Sequence, residues 1–331
     1  MADWGDLSIA VLVPCYNEEA AIEQVVRDFH EALPEAVVYV YDNNSSDRTV
    51  EVATAAGAVV RTEPLQGKGN VVRRMFADIE ADVYVMVDGD DTYEAAAARR
   101  LIDAMVEHGA DMVNAIRVTQ IDKAYRPGHV LGNRMLTGVV AWIFGDRVDD
   151  MLSGYRVFSR RFVKSFPVLS SGFEIETELT VHALELAMPM SQAQTAYKDR
   201  PEGSVSKLNT FRDGFRILGT IIRLLQRERP LRFYGALCVV LASVSVGLAV
   251  PLFLTFLETG LVPRFPTAIL CSAIMLLAFL SLTAGLVLDT VTHGRREVKR
   301  LAYLSVPSVH ARLAQAVAPV DTQAHSATSA L

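Results

Sequence analysis

Short apolar runs alternate with longer amphipathic stretches over the first two hundred residues. Ile9–Val13, Val37–Tyr41, Ala58–Arg61, Val83–Val87 and Met112–Arg117 are brief, rich in β-branched residues and bounded by polar clusters. They read as strands. Ala20–Leu33, Thr49–Ala56, Asn70–Glu80 and Ala95–His108 place apolar residues at helical spacing and read as helices. This alternation predicts an α/β domain: a Rossmann-like, mainly parallel sheet covered on both faces. Ligands of such sheets bind outside the carboxyl ends of the strands.

The pattern then changes. Phe233 to Leu257 and Phe265 to Leu288 contain no charged residue over 25 and 24 positions, and about 20 suffice to cross a hydrocarbon core. Only ETGLVPR separates them, so two spans would form an antiparallel hairpin. Arg223, Arg227, Arg229 and Arg232 precede it; Arg295, Arg296, Lys299 and Arg300 follow. An excess of basic residues on both flanks predicts that both are cytoplasmic. The expected protein is multi-pass in the cell (inner) membrane, with its catalytic domain and both termini in the cytoplasm. A buried helical pair in a soluble core is the alternative. Phe211 to Gln226 reads as an amphipathic helix whose Arg212, Arg216, Arg223 and Arg227 fall within about 60° of one another. It would lie against membrane lipids with its basic stripe near anionic headgroups, or pack on its own domain or another subunit. Residues after about 302 are rich in Ala, Ser, Thr and Gln and read as a disordered tail. The expected division is 1–208 catalytic domain, 209–232 juxtamembrane helix, 233–288 hairpin, and 289–331 basic segment and tail.

Composition sharpens this. Hydrophobic residues make up 51% of 331, which points to membrane-embedded mass. A net charge of −6 excludes a protein held to nucleic acid by charge. The three cysteines match neither a zinc motif nor a disulfide framework, and the seven histidines never sit at ligand spacing. The N-terminus carries acids where a signal peptide carries basic residues.

Four of the five predicted strands lead into or end on polar residues: Pro14-Cys15-Tyr16-Asn17-Glu18-Glu19, Asp42-Asn43-Asn44-Ser45-Ser46-Asp47, Asp88-Gly89-Asp90-Asp91, and Arg117. Turn and capping chemistry explains any one cluster. It does not explain acids and a basic residue converging on one sheet edge. Alternate residues leaving a strand project to one side. Asp88 and Asp90 can therefore hold one hard cation, Mg²⁺ or Mn²⁺, which keeps positions for phosphate oxygens. A general acid/base dyad is the rival, disfavoured because nothing nearby in sequence raises one carboxylate's pKa. Asp91 is left to solvation or to capping the helix from Ala95. Gly67-Lys68-Gly69 is phosphate-loop-like without being a Walker A motif, and an ordinary glycine turn before a helix explains it as well.

In this order, "VLVPCYNEE", "DNNSSDRT", "GKG" and "VDGDD" resemble glycosyltransferase family 2, whose catalytic domain has the GT-A fold. "NAIR", "GNRMLT", "DDMLSGYRVFSRR" and "YKDRPEGSVSKL" extend the resemblance to the polyprenyl-phosphate, dolichol-phosphate mannosyltransferase-like branch, over about residues 7 to 210. The hairpin is similar to that of bacterial members. The resemblance implies that Pro14, Tyr16, Asn17, Glu18, Asp42 and Asn44 cradle the nucleoside of a UDP- or GDP-sugar, with Lys68 and Gly89 beside the donor. Asp88 and Asp90 would be the DxD motif. Arg117 and Arg134 would grip the lipid phosphate. Arg200, Ser206 and Lys207 would close over the donor diphosphate, and Ser153, Gly154 and Arg156 would shape the sugar pocket. Hairpin-anchored members often associate, so a homo-oligomer is one expectation. The chain departs from the branch at Thr92, where Gln is frequent, and it lacks the Gln-x-x-Arg-Trp motif of processive synthases.

The implied activity is inverting transfer of one sugar from a nucleotide-sugar to a polyprenyl phosphate. A phosphate acceptor is already anionic, so it needs no general base. One rival transfers sugar to a lipid hydroxyl, with Glu174 or Glu176 of "GFEIETEL" as base. A non-catalytic membrane scaffold is disfavoured by the intact DxD motif. A nucleotidyltransferase is disfavoured because "VPCYNEE" lacks a glycine-rich opening.

Overall fold

The computed structural model describes Trp4 and residues 7–118, 137–138, 140–142, 149–172, 174–198, 219 and 222–317. Its described residues form two compact units: one from 1–208 and 299–331, the other from 209–298.

The first unit is built on a seven-stranded sheet. Its strands are β1 (Ile9–Cys15), β2 (Val37–Asp42), β3 (Val59–Thr62), β4 (Val83–Met86), β5 (Met112–Val118), β6 (Arg156–Ser159) and β7 (Met190–Ala196), in the order β3-β2-β1-β4-β6-β5-β7. The first four run parallel, as do β5 and β7. β6 lies antiparallel between β4 and β5. The α/β expectation holds, and the sheet is mixed because of this one short strand.

Strand alternation divides the core in two. Ile9, Val11 and Val13 of β1 face one layer, packed with α1 (Ile22–Ala32) and α4 (Ala97–His108). Ala10 and Leu12 face the other, packed with α3 (Lys68–Asp78), α5 (Arg160–Ser165) and α6 (Ile175–Glu185). Both faces of β1 and β4 are buried, which is why they read as unbroken apolar runs. α2 (Thr49–Ala55) completes the β2–β3 crossover.

The second unit holds α7 (Pro230–Thr259) and most of α8 (Phe265–Leu304). Both helices are long and apolar enough to cross a membrane. Their apolar side chains point outward: Phe253, Leu257 and Phe279 are all about 60% exposed or more. Ser245 Oγ donates to the Cys271 carbonyl at 2.8 Å and Ser281 Oγ to the Tyr234 carbonyl at 3.1 Å, so polar groups between the helices are satisfied locally. Residues 219 and 222–228 are helical; 211–218, with Arg212 and Arg216, and 220–221 lie outside the described residues.

The expectation of a disordered tail from about 302 does not hold as far as residue 317; residues 318–331 lie outside the described residues. α8 continues to Leu304, and α9 (Val309–Val317) follows. Val309 is buried in the α1–α4 layer of the core, and Arg312 Nε donates to Asp82 at 2.9 Å. Burial of Val309 and ion pairing to the sheet order a stretch whose composition alone looks polar and featureless.

Candidate active site

The order of strands reverses between β1 and β4, and sheets of this kind bind ligands outside the carboxyl ends of the strands at such a switch point. β1 delivers Tyr16 to Glu18; β2 delivers Asp42 to Asn44; β4 delivers Asp88 to Asp90; β5 delivers Arg117. Because β6 is antiparallel, the residues before it, Ser153 and Gly154, reach the same edge.

The first two loops are stitched together. The Asn17 amide donates to Ser45 Oγ at 2.8 Å, and Asn17 Oδ1 accepts from the Ser46 amide at 2.8 Å. The Glu18 amide donates to Thr49 Oγ1 at 2.9 Å. Asp42 is buried and accepts from the Ser45 amide. Asn44 takes a left-handed backbone, φ 64°, and its amide donates to the Pro64 carbonyl at 2.9 Å. Asn17 and Asn44 thus build the loops; Tyr16, 38% exposed, lies at their surface.

Asp88, Gly89 and Asp90 leave β4 in a turn pressed against β1. A Cβ on Gly89 would meet Cys15 Sγ, and a Cβ on Gly154 would collide with the Asp88 carboxylate. Glycine at 154 lets the Asp88 carboxylate lie directly on backbone, and glycine at 89 lets the turn press against β1. Asp88 Oδ1 accepts from Lys68 Nζ at 2.5 Å, and Lys68 also donates to Glu176 Oε1 at 2.8 Å. Burial opposes charge on Lys68, but Asp88 and Glu176 overcome it and push its pKa above the usual lysine range. Asp90 is buried, and its Oδ1 accepts from Thr92 Oγ1 at 2.6 Å. Thr92, the departure from the family pattern, is therefore the residue that orients the second aspartate. Asp91 does not cap a helix: it sits at φ 54° within 3.9 Å of Lys198 Nζ, and α4 begins at Ala97.

Two carboxylates projecting from one turn suit a hard cation. Among the described residues no group of three or more His, Cys, Asp or Glu stands ready to hold a metal. This donor set fits Mg²⁺ or Mn²⁺, which take one or two carboxylates and draw other oxygens from substrate phosphate and water.

Arg117 is bound bidentately: Nε donates to Asp150 Oδ2 at 2.7 Å and Nη2 to Oδ1 at 2.8 Å. Burial would raise the Asp150 carboxyl, but the Arg117 bonds hold it below the usual carboxylate range. The guanidinium also lies 5.4 Å over the Tyr197 ring. Tyr197 packs on Tyr93, whose hydroxyl oxygen accepts from the Gly154 amide at 2.9 Å. This Tyr93–Tyr197–Arg117 wall joins Arg117 to the turn beside Asp88.

Ser153 and Arg156 are fully buried. Arg156 donates to the Ser153 and Met151 carbonyls and to Thr180 Oγ1, and burial lowers its pKa to about 10. Its role is to brace the site from beneath. Pro14 ends inside β1, partly buried. Arg134, Arg200, Ser206 and Lys207 lie outside the described residues. Asp150, Tyr93 and Tyr197 were not singled out from sequence. Asp150 is 33 residues from Arg117, and no local spacing rule pairs them.

Residues 10–164 match the family described as glycosyl transferase family 2. Glycosyltransferase AglJ of Haloferax volcanii is 35% identical over 255 residues, 75% of this chain and 82% of that protein. A dolichyl-phosphate hexose transferase of the same organism is 26% identical over 221 residues, 67% of this chain and 95% of that protein. Among solved structures, glucosyl-3-phosphoglycerate synthase from Mycobacterium tuberculosis, in complex with Mn²⁺, uridine diphosphate and glucosyl-3-phosphoglycerate, superposes with a TM-score of 0.56 at 24% identity. The match covers 67% of this chain and 80% of that one, a likeness of fold.

Proposed function

The chain belongs to glycosyl transferase family 2, and we propose that it moves one sugar from a UDP- or GDP-sugar to a polyprenyl phosphate. The reaction would take place at the cytoplasmic face of the cell membrane, with inversion at the anomeric carbon. The observation that carries this reading is the carboxyl edge of the sheet, where Asp88, Asp90, Lys68 and Arg117 converge in a chain that also carries two apolar helices of membrane-crossing length. The dolichyl-phosphate hexose transferase among its relatives supports a lipid-phosphate acceptor, and the Mn²⁺ and uridine diphosphate in the solved neighbour support the donor and cation.

In this reading the loops at Pro14–Glu18 and Asp42–Asn44 take the nucleoside. Asp88 and Asp90 would hold the Mg²⁺ or Mn²⁺, which when bound neutralises charge on the departing diphosphate. Arg117, held by Asp150 and Tyr197, presents positive charge to the acceptor phosphate; Arg134 would join it. Arg200, Ser206 and Lys207 would cover the donor diphosphate. A lipid phosphate, with a second pKa of about 6, is anionic at neutral pH and attacks without deprotonation. The chain's work is positioning and charge stabilisation. The hydroxyl-acceptor alternative needs a base: Glu176, 8% exposed, is engaged by Lys68, which leaves that reading Glu174, whose Oε2 is buried without a hydrogen-bond partner among the described residues. Residues 1–208 would be the catalytic domain and 233–288 the membrane hairpin, with both flanks cytoplasmic.

The test is incubation of membranes carrying the chain with labelled UDP- and GDP-sugars and polyprenyl phosphate. The expected product is a lipid-extractable label released by mild acid. No such product with any donor would sink the reading.

A further inference from the structure

The Lys68 pairing carries a consequence for the order of events at the donor site. Lys68 opens α3, and its backbone is clamped: the Gly67 amide donates to Asn43 Oδ1 at 2.6 Å and the Gly69 amide to the Ser171 carbonyl at 3.1 Å. A Cβ on Gly69 would collide with the Ser170 carbonyl, so the clamp is close. Only the side chain is left to move. That side chain is 8% exposed and touches two carboxylates that differ in kind. Glu176 lies in the first turn of α6, where a helix N-terminus favours an anion, and its side chain is 11% exposed. Asp88 lies on the open turn and its side chain is 29% exposed.

One lysine facing two carboxylates leaves one negative charge in excess. A divalent cation drawn to Asp88 would meet Lys68 already there, and two cations on one carboxylate repel strongly in a half-buried site. An ammonium that moved off into water would leave Glu176 a buried, unpaired carboxylate, but the ammonium can release Asp88 and stay with Glu176.

We propose that Lys68 is a resident counter-cation of the donor site: it bridges Asp88 and Glu176 while the site is empty, and releases Asp88 but keeps Glu176 when a nucleoside diphosphate and its divalent cation bind. Glu176 is thus a positioning residue acting through Lys68, and Lys68 keeps the empty site from collecting divalent cations without donor. This rests on the reading of Asp88 and Asp90 as the cation pair.

The test is Mn²⁺ binding to the full chain in detergent, read from the electron paramagnetic resonance signal of free Mn²⁺, with and without UDP or GDP. Without nucleotide, Lys68→Met binds Mn²⁺ about tenfold more tightly than the wild type, the fold-change of losing one competing charge-assisted hydrogen bond. Glu176→Gln, which confines Lys68 to Asp88, binds Mn²⁺ several-fold more weakly and so tests the inference even if Lys68→Met fails to fold. In the Lys68→Met background, Glu176→Gln changes the affinity less than about twofold, since its effect runs through Lys68. Unchanged or weaker Mn²⁺ binding in Lys68→Met overturns the proposal. So does a Glu176→Gln effect of equal size in both backgrounds, which would mark a general field effect. If neither the wild type nor any variant binds Mn²⁺ with either nucleotide, the cation-pair reading itself falls and the proposal with it.

Discussion

At the amino ends of β4 and β5 stand Asp82 and Asp111; at their carboxyl ends stand Asp88 and Arg117. The same two strands carry charge at both ends, and the two ends are finished differently. Asp111 is 1% exposed and accepts from Ser159 Oγ, Arg161 Nε and Tyr303 Oη. Asp82 is buried and accepts from the Ser8 amide and hydroxyl and from Arg312. Tyr303 and Arg312 come from the C-terminal stretch, which closes this edge. At the other edge Asp88 lies open and holds a single lysine shared with Glu176. Saturated, buried carboxylates act as joints. A carboxylate that faces solvent and shares its cation is available for a ligand.

Substitutions on the two edges should separate function from stability. Asp88→Ala, which leaves Lys68 paired to Glu176, is expected to lower the transfer rate on the order of a thousandfold and to leave the thermal midpoint of the purified chain nearly unchanged. An equal fall in both would erase the distinction between the edges. Asp111→Ala should do the reverse. It strands Arg161 and opens a buried network, costing about 3 kcal/mol of catalytic-unit stability by denaturant titration, while transfer per folded molecule persists. Tyr303→Phe keeps the ring under Arg161 and removes one hydrogen bond to Asp111, for about 1 kcal/mol in the same titration.

Arg312→Ala is the mildest. The Arg312 side chain is 41% exposed, so its ion pair should contribute about 0.5 kcal/mol at neutral pH. Its signature lies in acid. Burial would raise the Asp82 carboxyl, but bonds from Ser8 and Arg312 hold it below the ordinary value of 3.8. That contribution is present above 3.8 and is lost as pH falls through the lower folded value. Arg312→Ala should therefore flatten the loss of stability below about pH 4. An unchanged acid slope would show that Ser8 alone sets Asp82.

Much of the carboxyl edge was legible because its signals are local. β1 to β5 announce themselves as short apolar runs, and Asp88 and Asp90 by their position after one of them. The hairpin was legible from length and absence of charge. What was missed depends on distant partners. β6 is only Arg156–Ser159, and its strand character comes from pairing with β4 and β5 on either side. α9 looks like a polar tail until Val309 is seen in the core and Arg312 on Asp82, 230 residues away. Lys68 and Glu176 are 108 residues apart, so the loop was readable as phosphate-like but its ion pair was not. Thr92 looked like a lost contact; the structure shows it holding Asp90.

Under the proposed function a phosphate, not a hydroxyl, takes the sugar, and the open edge then needs carboxylates for a cation and no general base. The most direct measurement compares two acceptors with the same polyprenyl chain, one ending in phosphate and one in alcohol, at equal concentration with the purified protein and the same labelled donor. Transfer to the phosphate alone is expected. Comparable transfer to the alcohol would contradict it.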